Sequence, residues 1–227
     1  MSDKYNLSNA KFGGGFAGDG GTQKGGIFND YSFTDAANKT NTFVKTILIL
    51  AANPKTTSSL RLDEEVREID ALLQRAKQRE QFEIKQRWAV RVRDVSQALL
   101  DFEPQIIHFS GHGTGEDGLA LEDKTGNVQL VETLALAQLF KLFAKTIECV
   151  VLNACYSEVQ AQGIAQHIPY VIGMKKEISD KASIEFAIGF YAALGAGKSI
   201  EFAYKNGCNA IQMAKLAEHL IPTLKIL

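Results

Sequence analysis

The chain has 227 residues, of which 45% are hydrophobic and 22% charged, with a net charge of −1 and a pI near 6.4. This length allows one sizeable hydrophobic core and disfavours a second full domain. The near-zero net charge provides no field that would gather nucleic acid or acidic lipid, so we expect neither as a partner.

The cysteine content and the N-terminus indicate the compartment. Cys149, Cys155 and Cys208 are too few and too widely spaced for a disulfide framework or a zinc site. The N-terminus lacks the pattern of a secretion signal, and no apolar run approaches the roughly 18 residues of a membrane span. The sequence therefore predicts a cytoplasmic protein in a reducing compartment, with no metal and no membrane partner.

Residues 1–42 differ in composition from the rest of the chain. They interleave glycine with single aromatic and short polar residues, most densely at residues 13–21 and 25–31. Since little aliphatic surface offsets the entropy of ordering such a segment, one interpretation is a flexible leader.

The same segment supports a second interpretation. It contains no proline and few charges, and sequences of this kind can stack in register against copies of themselves. It resembles the short amyloid-like signalling motifs at the ends of bacterial immune effectors, where a receptor with a matching motif templates assembly. Residues 1–42 are then a self-assembly motif, and the receptor is a partner.

From residue 43 onward, apolar runs alternate with amphipathic segments. Continuous apolar or alternating runs predict strands at residues 46–52, 82–88, 105–109, 149–153 and 170–174. Apolar residues at helical spacing predict helices at residues 60–73, 92–100, 132–145, 157–168 and, interrupted at residues 195–197, 180–215. The first helix is predicted to begin at an N-cap formed by Ser58 or Ser59.

A hairpin is predicted after the third strand, because residues 118–123 and 128–131 flank a polar turn at residues 124–127. The alternation of strands and helices elsewhere predicts an α/β fold, with a mostly parallel sheet covered by helices on both faces. Ligands of such sheets bind where the strands end at their carboxyl termini.

Two of the predicted strands lead into reactive side chains. The strand at residues 105–109 leads into His112, and the strand at residues 149–153 leads into Cys155, 43 residues further along. Because parallel strands end at the same edge of a sheet, we expect the imidazole and the thiol to meet there. His112 as proton acceptor, together with the amides of the helix that follows Cys155, would then activate the thiol as a nucleophile.

The glycines on both sides of His112 allow a sharp turn close to a substrate. The backbone amides of Gly113 and Cys155 are predicted to form an oxyanion hole. From the residues alone, two alternatives stay open: a buried structural thiol at Cys155 and a turn residue at His112. His108, inside the strand, is expected to be structural.

Residues 110–113, 118–121 and 152–157, with the terminal stretch of residues 180–210, resemble the CHAT family of caspase-like peptidases. The resemblance covers roughly residues 45–220. It implies a caspase-like three-layer sandwich over residues 43–227, with His112 as the catalytic histidine and Cys155 as the nucleophile. It also implies peptide-bond hydrolysis through a thioester, without metal or organic cofactor.

The substrate preference is open at this stage. Asp117, Glu158 and Asp180 lie near motifs that border the predicted cleft, and an acidic pocket would select Arg or Lys. Each can equally be a solvated residue, and Asp180 can act with Ser179 as a helix cap.

The sequence leads to one main hypothesis about function. The chain is expected to be an intracellular cysteine endopeptidase that cleaves protein or peptide substrates in bacterial defence or regulated cell death, once a partner clusters its copies. The alternatives are a non-catalytic signalling and assembly module of the same fold and a small-molecule thiol hydrolase.

Overall fold

The computed structural model of the protein describes residues 44–227, so the predicted leader or assembly motif at residues 1–42 lies outside the described residues. The strands, in chain order, are β1 (Lys45–Ala51), β2 (Phe82–Trp88), β3 (Ile106–Ser110), β4 (His112–Gly113), β5 (Leu119–Glu122), β6 (Val128–Val131), β7 (Cys149–Asn153), β8 (Tyr170–Met174) and β9 (Pro222–Ile226). The α-helices are α1 (Leu62–Arg75), α2 (Val92–Phe102), α3 (Thr133–Leu142), α4 (Glu158–Ile164), α5 (Asp180–Gly195) and α6 (Ile200–Met213).

Six strands form the central sheet in the order β2-β1-β3-β7-β8-β9. All neighbouring pairs are parallel except β8 and β9. β3 and β7 lie side by side at the centre, with Ser110 opposite Asn153 at their carboxyl ends. This arrangement confirms the predicted α/β fold with a mostly parallel sheet.

Helices cover both faces of this sheet and make it the middle of three layers. One face packs against α2, α3 and α4 through residues such as Leu50, Ile107 and Leu152. The other face packs against α1, α5 and α6 through residues such as Ile49 and Val151. Each fully buried aliphatic side chain contributes on the order of 1.5–3 kcal/mol to stability.

A second, smaller sheet carries the residues that follow β3. It has the order β4-β5-β6 and is antiparallel throughout, with the polar turn of the predicted hairpin closed by the Asp123 carboxylate, which accepts the amides of Thr125 and Asn127. The hairpin is confirmed. The remaining strand of this small sheet, β4, was not predicted, because a strand of two residues is too short to show a periodic pattern.

Two local predictions are wrong, and one strand was missed. The α1 helix has Arg61 as its N-cap in place of Ser58 or Ser59, because the Asp180 carboxylate accepts the Arg61 amide. The helix predicted at residues 157–168 is α4, which ends at Ile164. Turns and a bend occupy residues 165–168, and Pro169 disfavours helical backbone at the residue before it. The antiparallel edge strand β9 was not predicted at all. None of the helices within residues 44–227 combines the length and the apolar character needed to cross a bilayer.

Candidate active site

His112 begins β4, two residues beyond the end of β3, and its ring is fixed by the backbone. Nε2 lies 2.9 Å from the carbonyl oxygen of Ser58, in the loop between β1 and α1. A carbonyl oxygen only accepts hydrogen bonds, so Nε2 carries a proton and donates it. In the neutral imidazole, Nδ1 is therefore the nitrogen that accepts a proton.

Cys155 lies two residues beyond β7, half-buried in the turn before α4. Its Sγ is 3.5 Å from the amide nitrogen of Ile178, which donates to it, and 3.7 Å from the Ile178 carbonyl oxygen. Burial raises the pKa of the Cys155 thiol, the Ile178 amide opposes that rise, and the Glu177 carboxylate adds to it.

The direction of this pKa shift differs from the expected activation by a helix. The α4 helix begins only at Glu158, and burial of Cys155 outweighs the donors around its sulfur. In this conformation the thiol therefore keeps its proton at neutral pH, and a base is needed to form the thiolate.

His112 and Cys155 line one small depression at the carboxyl edge of the sheet, beside the ends of β3 and β7. Its volume is about 30 Å³, which is room for about two water molecules. Ile178 and Asp180 line the same depression. The backbone amide and carbonyl of Ile178 lie against the sulfur of Cys155 in this depression.

Gly113 approaches the backbone of Cys155 so closely that no other residue fits. A Cβ atom at this position would lie 2.2 Å from the Cys155 carbonyl oxygen. The neighbouring Thr114 amide donates to Gly118 across the ladder, and hydrogen-bonded and non-bonded pairs alternate along antiparallel strands. The Gly113–Leu119 pair is therefore a non-bonded pair, and the Gly113 amide points away from β5.

The turn that presents Cys155 is unusual in its backbone. Tyr156 has a φ of 56°, in the left-handed region that residues with a side chain seldom adopt. Its amide donates to the Lys176 carbonyl, and the Ser157 hydroxyl donates to Leu152 and accepts from the Met174 amide. Such conformations persist where the surroundings enforce them, and they concentrate at functional sites.

The three acidic residues predicted near the cleft have different surroundings. Asp180, the first residue of α5, lines the depression, and its carboxylate accepts from the amide and from Nε of Arg61, each at 3.1 Å. Glu158 is instead paired with Lys225 of β9 at 2.7 Å. Asp117 lies exposed in the short turn after β4, outside the depression. Only Asp180 is brought together with His112 and Cys155.

A comparison with protein families identifies the family of the chain. The family model of the CHAT domain matches residues 27–217. The chain belongs to the CHAT domain family. Two relatives of this CHAT domain are described as proteases: a probable protease of Gillisia limnaea and a Roc-COR-CHAT protease of an unknown prokaryotic organism.

The likeness to these relatives is distant and partial. The Gillisia protein is 28% identical over 173 residues, which are 74% of this chain and 31% of that protein. The Roc-COR-CHAT protease is 26% identical over 193 residues, which are 82% of this chain and 18% of that protein. This CHAT domain thus spans less than a third of the length of either relative.

A solved structure shares the fold. It is the X-ray structure of a secreted C11 cysteine protease from Bacteroides thetaiotaomicron in complex with an irreversible peptide inhibitor. The TM-score is 0.55 at 13% identity, covering 75% of this chain and 60% of that chain. The CHAT domain described here therefore has the fold of a caspase-like cysteine protease, as the sequence resemblance implied.

One buried residue beside the site of this CHAT domain was missed from the sequence. Glu65 of α1 accepts hydrogen bonds from Nε2 of His108 at 3.0 Å, from the hydroxyl of Ser110 and from the amide of Asn153. A signal was present, since Glu65 interrupts the apolar stripe that α1 turns toward the sheet. Acidic residues in a buried stripe require partners, and here two of the three partners, Ser110 and Asn153, lie at the strand ends.

Proposed function

We propose that this CHAT domain is a cysteine endopeptidase, with Cys155 as the nucleophile and His112 as the general base and acid. The observation that carries the proposal is the orientation of His112: its Nε2 is committed to the Ser58 carbonyl while the ring lines the same depression as Cys155. This leaves Nδ1 to serve the sulfur. The relatives described as proteases and the fold of a cysteine protease support the same reaction class.

The proposed reaction uses groups of this chain and one water. Nδ1 of His112 takes the Sγ proton as the sulfur attacks the peptide carbonyl, and the Ser58 carbonyl stabilises the imidazolium that forms. The amides of Gly113 and Cys155 are the proposed donors to the oxyanion. His112 then protonates the leaving amine, and a water hydrolyses the thioester and restores the thiol.

Access to the thiol is the step that we propose to be regulated. The backbone of Ile178 lies against the sulfur of Cys155, and the next residue, Ser179, is held by Glu218, which accepts its amide at 2.6 Å and its hydroxyl at 3.0 Å. We propose that this segment moves when the substrate enters. Clustering of copies through residues 1–42, templated by a partner in bacterial defence or regulated cell death, is the proposed trigger.

For the substrate we propose a protein or peptide with a basic residue before the scissile bond. Asp180 is the acid favoured for this recognition, since it lines the depression, and the basic side chain of the substrate would take the place of its present partner Arg61. Glu158 and Asp117 are less favoured, because they lie outside the depression.

A diverse peptide library tests the proposal. The wild-type chain should cleave peptides after one class of residue, and the Cys155→Ala variant should cleave none. Cys208→Ser is the matched control, because Cys208 is a half-buried free thiol distant in sequence from the site and should be dispensable. Cleavage by the Cys155→Ala variant would refute the proposed mechanism, and an unaltered cellular response to that variant would favour a non-catalytic module.

A further inference from the structure

In the wall of the depression, one buried carboxylate joins the two strands that lead to the reacting residues. Glu65 is the fourth residue of α1 and is only 2% exposed. Its Oε1 accepts from His108 and from Asn153, and its Oε2 accepts from Ser110. Three donors from two strands therefore converge on one side chain of a helix.

Two of the three donors stand at the same sequence separation from the reacting residues. Ser110 precedes His112 by two residues, and Asn153 precedes Cys155 by two. Ser110 and Asn153 are also opposite each other in the β3–β7 ladder. Glu65 therefore bridges the ends of β3 and β7 immediately before the chain departs toward the imidazole and the thiol.

Stability alone does not explain this group. Elsewhere on the same face the strands carry aliphatic side chains such as those of Ile49 and Val151, and replacing buried ionic groups by apolar ones is often neutral or stabilising. A carboxylate with two acceptor oxygens does what no apolar residue can, since it fixes three donors in direction as well as distance.

The α1 helix is also linked to α5 and to the Ser58 carbonyl that binds His112. Asn153 also donates to the Ser183 carbonyl of α5 at 3.1 Å, and Arg61, just before α1, is held by Asp180 of α5. The loop that ends at Arg61 contains Ser58, whose carbonyl accepts from His112. An α1 helix attached to both strand ends thus also sets the position of that carbonyl.

From this arrangement we infer that Glu65 is a positioning residue that holds His112 and Cys155 at the separation needed for proton transfer. The inference rests on the proposed function only in taking these two residues as the reacting pair. Glu65 acts through Ser110, Asn153 and the helix, and within residues 44–227 its side chain forms no hydrogen bond with His112 or Cys155. Misplacing a reacting group by about 1 Å typically costs on the order of a hundredfold in rate.

The test measures proton transfer within the pair without any substrate. Iodoacetamide alkylation of Cys155 in the full chain is followed by mass spectrometry of the peptide that contains it, at pH 7 and at pH 10. The alkylation ratio is the rate at pH 7 divided by the rate at pH 10. A base beside the sulfur raises this ratio, so His112→Ala should lower it. Glu65→Leu should lower it toward the His112→Ala value, about tenfold or more, and Glu65→Gln, which keeps one acceptor oxygen, should fall between.

Two further variants separate positioning from folding. Leu99→Ala removes a core side chain on the opposite face of the sheet, so it should lower the melting temperature while leaving the alkylation ratio unchanged. Ser110→Ala removes one donor and leaves Glu65 in place, so it provides an answer if Glu65→Leu does not fold. It should lower the ratio less than Glu65→Leu does.

Specific results overturn the inference. Folded Glu65 or Ser110 variants with a wild-type alkylation ratio would show that the hydrogen bonds of Glu65 have only a structural role. A Glu65→Gln variant with a wild-type ratio but altered preference for basic peptides would make Glu65 a substrate-binding acid. If the wild-type chain cleaves no peptide while its ratio depends on both His112 and Glu65, the positioning role stands and the peptidase proposal fails.

Discussion

The two faces of the central sheet are built from the same strands and differ in what their carboxyl ends present. On the face toward α2, α3 and α4, alternate residues of β3 and β7 remain apolar to the end, with Phe109 and Leu152 in last place. On the face toward α1 and α5, the same strands end in Ser110 and Asn153, which bind a buried carboxylate.

This difference teaches how the molecule separates stability from chemistry. The apolar face loses only contacts and volume when it is altered, so changes there should alter the free energy of unfolding. The polar end of the other face orients groups, so changes there should alter rates. Each of the following predictions tests whether this separation holds.

Replacing His112 by Ala should have the largest effect, because it removes the proposed base for the thiol of Cys155. We expect the kcat for peptide cleavage to fall on the order of a thousandfold or more, with little change in melting temperature. Steady-state kinetics on a peptide from the library checks this. Near wild-type turnover would show that another group accepts the proton.

Gly113→Ala should have the next largest effect. The added methyl group would lie 2.2 Å from the Cys155 carbonyl oxygen, so the backbone must shift and carry the Gly113 amide with it. Loss of one oxyanion donor should lower kcat about a hundredfold to a thousandfold.

Gly163→Ala is the matched glycine on the apolar face, where the added methyl group would meet Thr133 of α3 at 2.6 Å. It should lower the melting temperature and leave the kcat of the folded enzyme intact. If both glycine variants lose activity alike, the separation between the two faces fails.

A conservative change inside the apolar face should give a smaller effect on stability alone. Ile107 is fully buried in β3, and Ile107→Val removes one methylene group. The free energy of unfolding in urea should fall by about 0.5–1.5 kcal/mol, with kcat and KM unchanged. A fall in kcat larger than the loss of folded protein would mean that the apolar face also positions the site.

The smallest effect is expected at the start of α2, from Asp94→Asn. A hydrogen bond from Arg91 lowers the pKa of Asp94, whose carboxylate also accepts the Arg91 amide at 3.0 Å. A folded-state pKa below the unfolded value stabilises the protein above the unfolded pKa of about 3.9, and this contribution is lost as the pH falls through the folded pKa. The variant should be less stable by about 0.5–1 kcal/mol at pH 7.

The difference in stability between the two proteins should shrink as the pH falls below about 3.9, because protonation of Asp94 removes the contribution of its carboxylate in the wild-type chain. Urea unfolding at several pH values measures this convergence. A difference in stability that does not change with pH would show that the ionised carboxylate is not what stabilises this helix end.

Much of the fold could be predicted because the length of its apolar runs favours strands. β2, β7 and β8 have the predicted bounds residue for residue, since their alternating or β-branched runs have the length of a strand and are too short for a typical helix. The two-residue β4 has too few residues for a pattern. The β9 strand is specified mainly by its pairing with β8.

Within the candidate site, the parts that could be predicted are those that strand ends determine. His112 and Cys155 follow buried strands, and parallel strands align their carboxyl ends. The N-cap of α1 could not be predicted, because the Arg61 amide is bound by Asp180, 119 residues away. The contact with the Cys155 sulfur is made by the backbone amide of Ile178, which leaves no signature in the sequence.

The most direct test of the account is to trap the acyl group on the enzyme. The full chain, mixed with a cleavable peptide and quenched in acid, should carry the acyl half of the substrate as a thioester on Cys155. The adduct should be absent in Cys155→Ala and strongly reduced in His112→Ala. Cleavage without an adduct on Cys155, or with the acyl group on Cys208, would contradict the assignment of nucleophile and base.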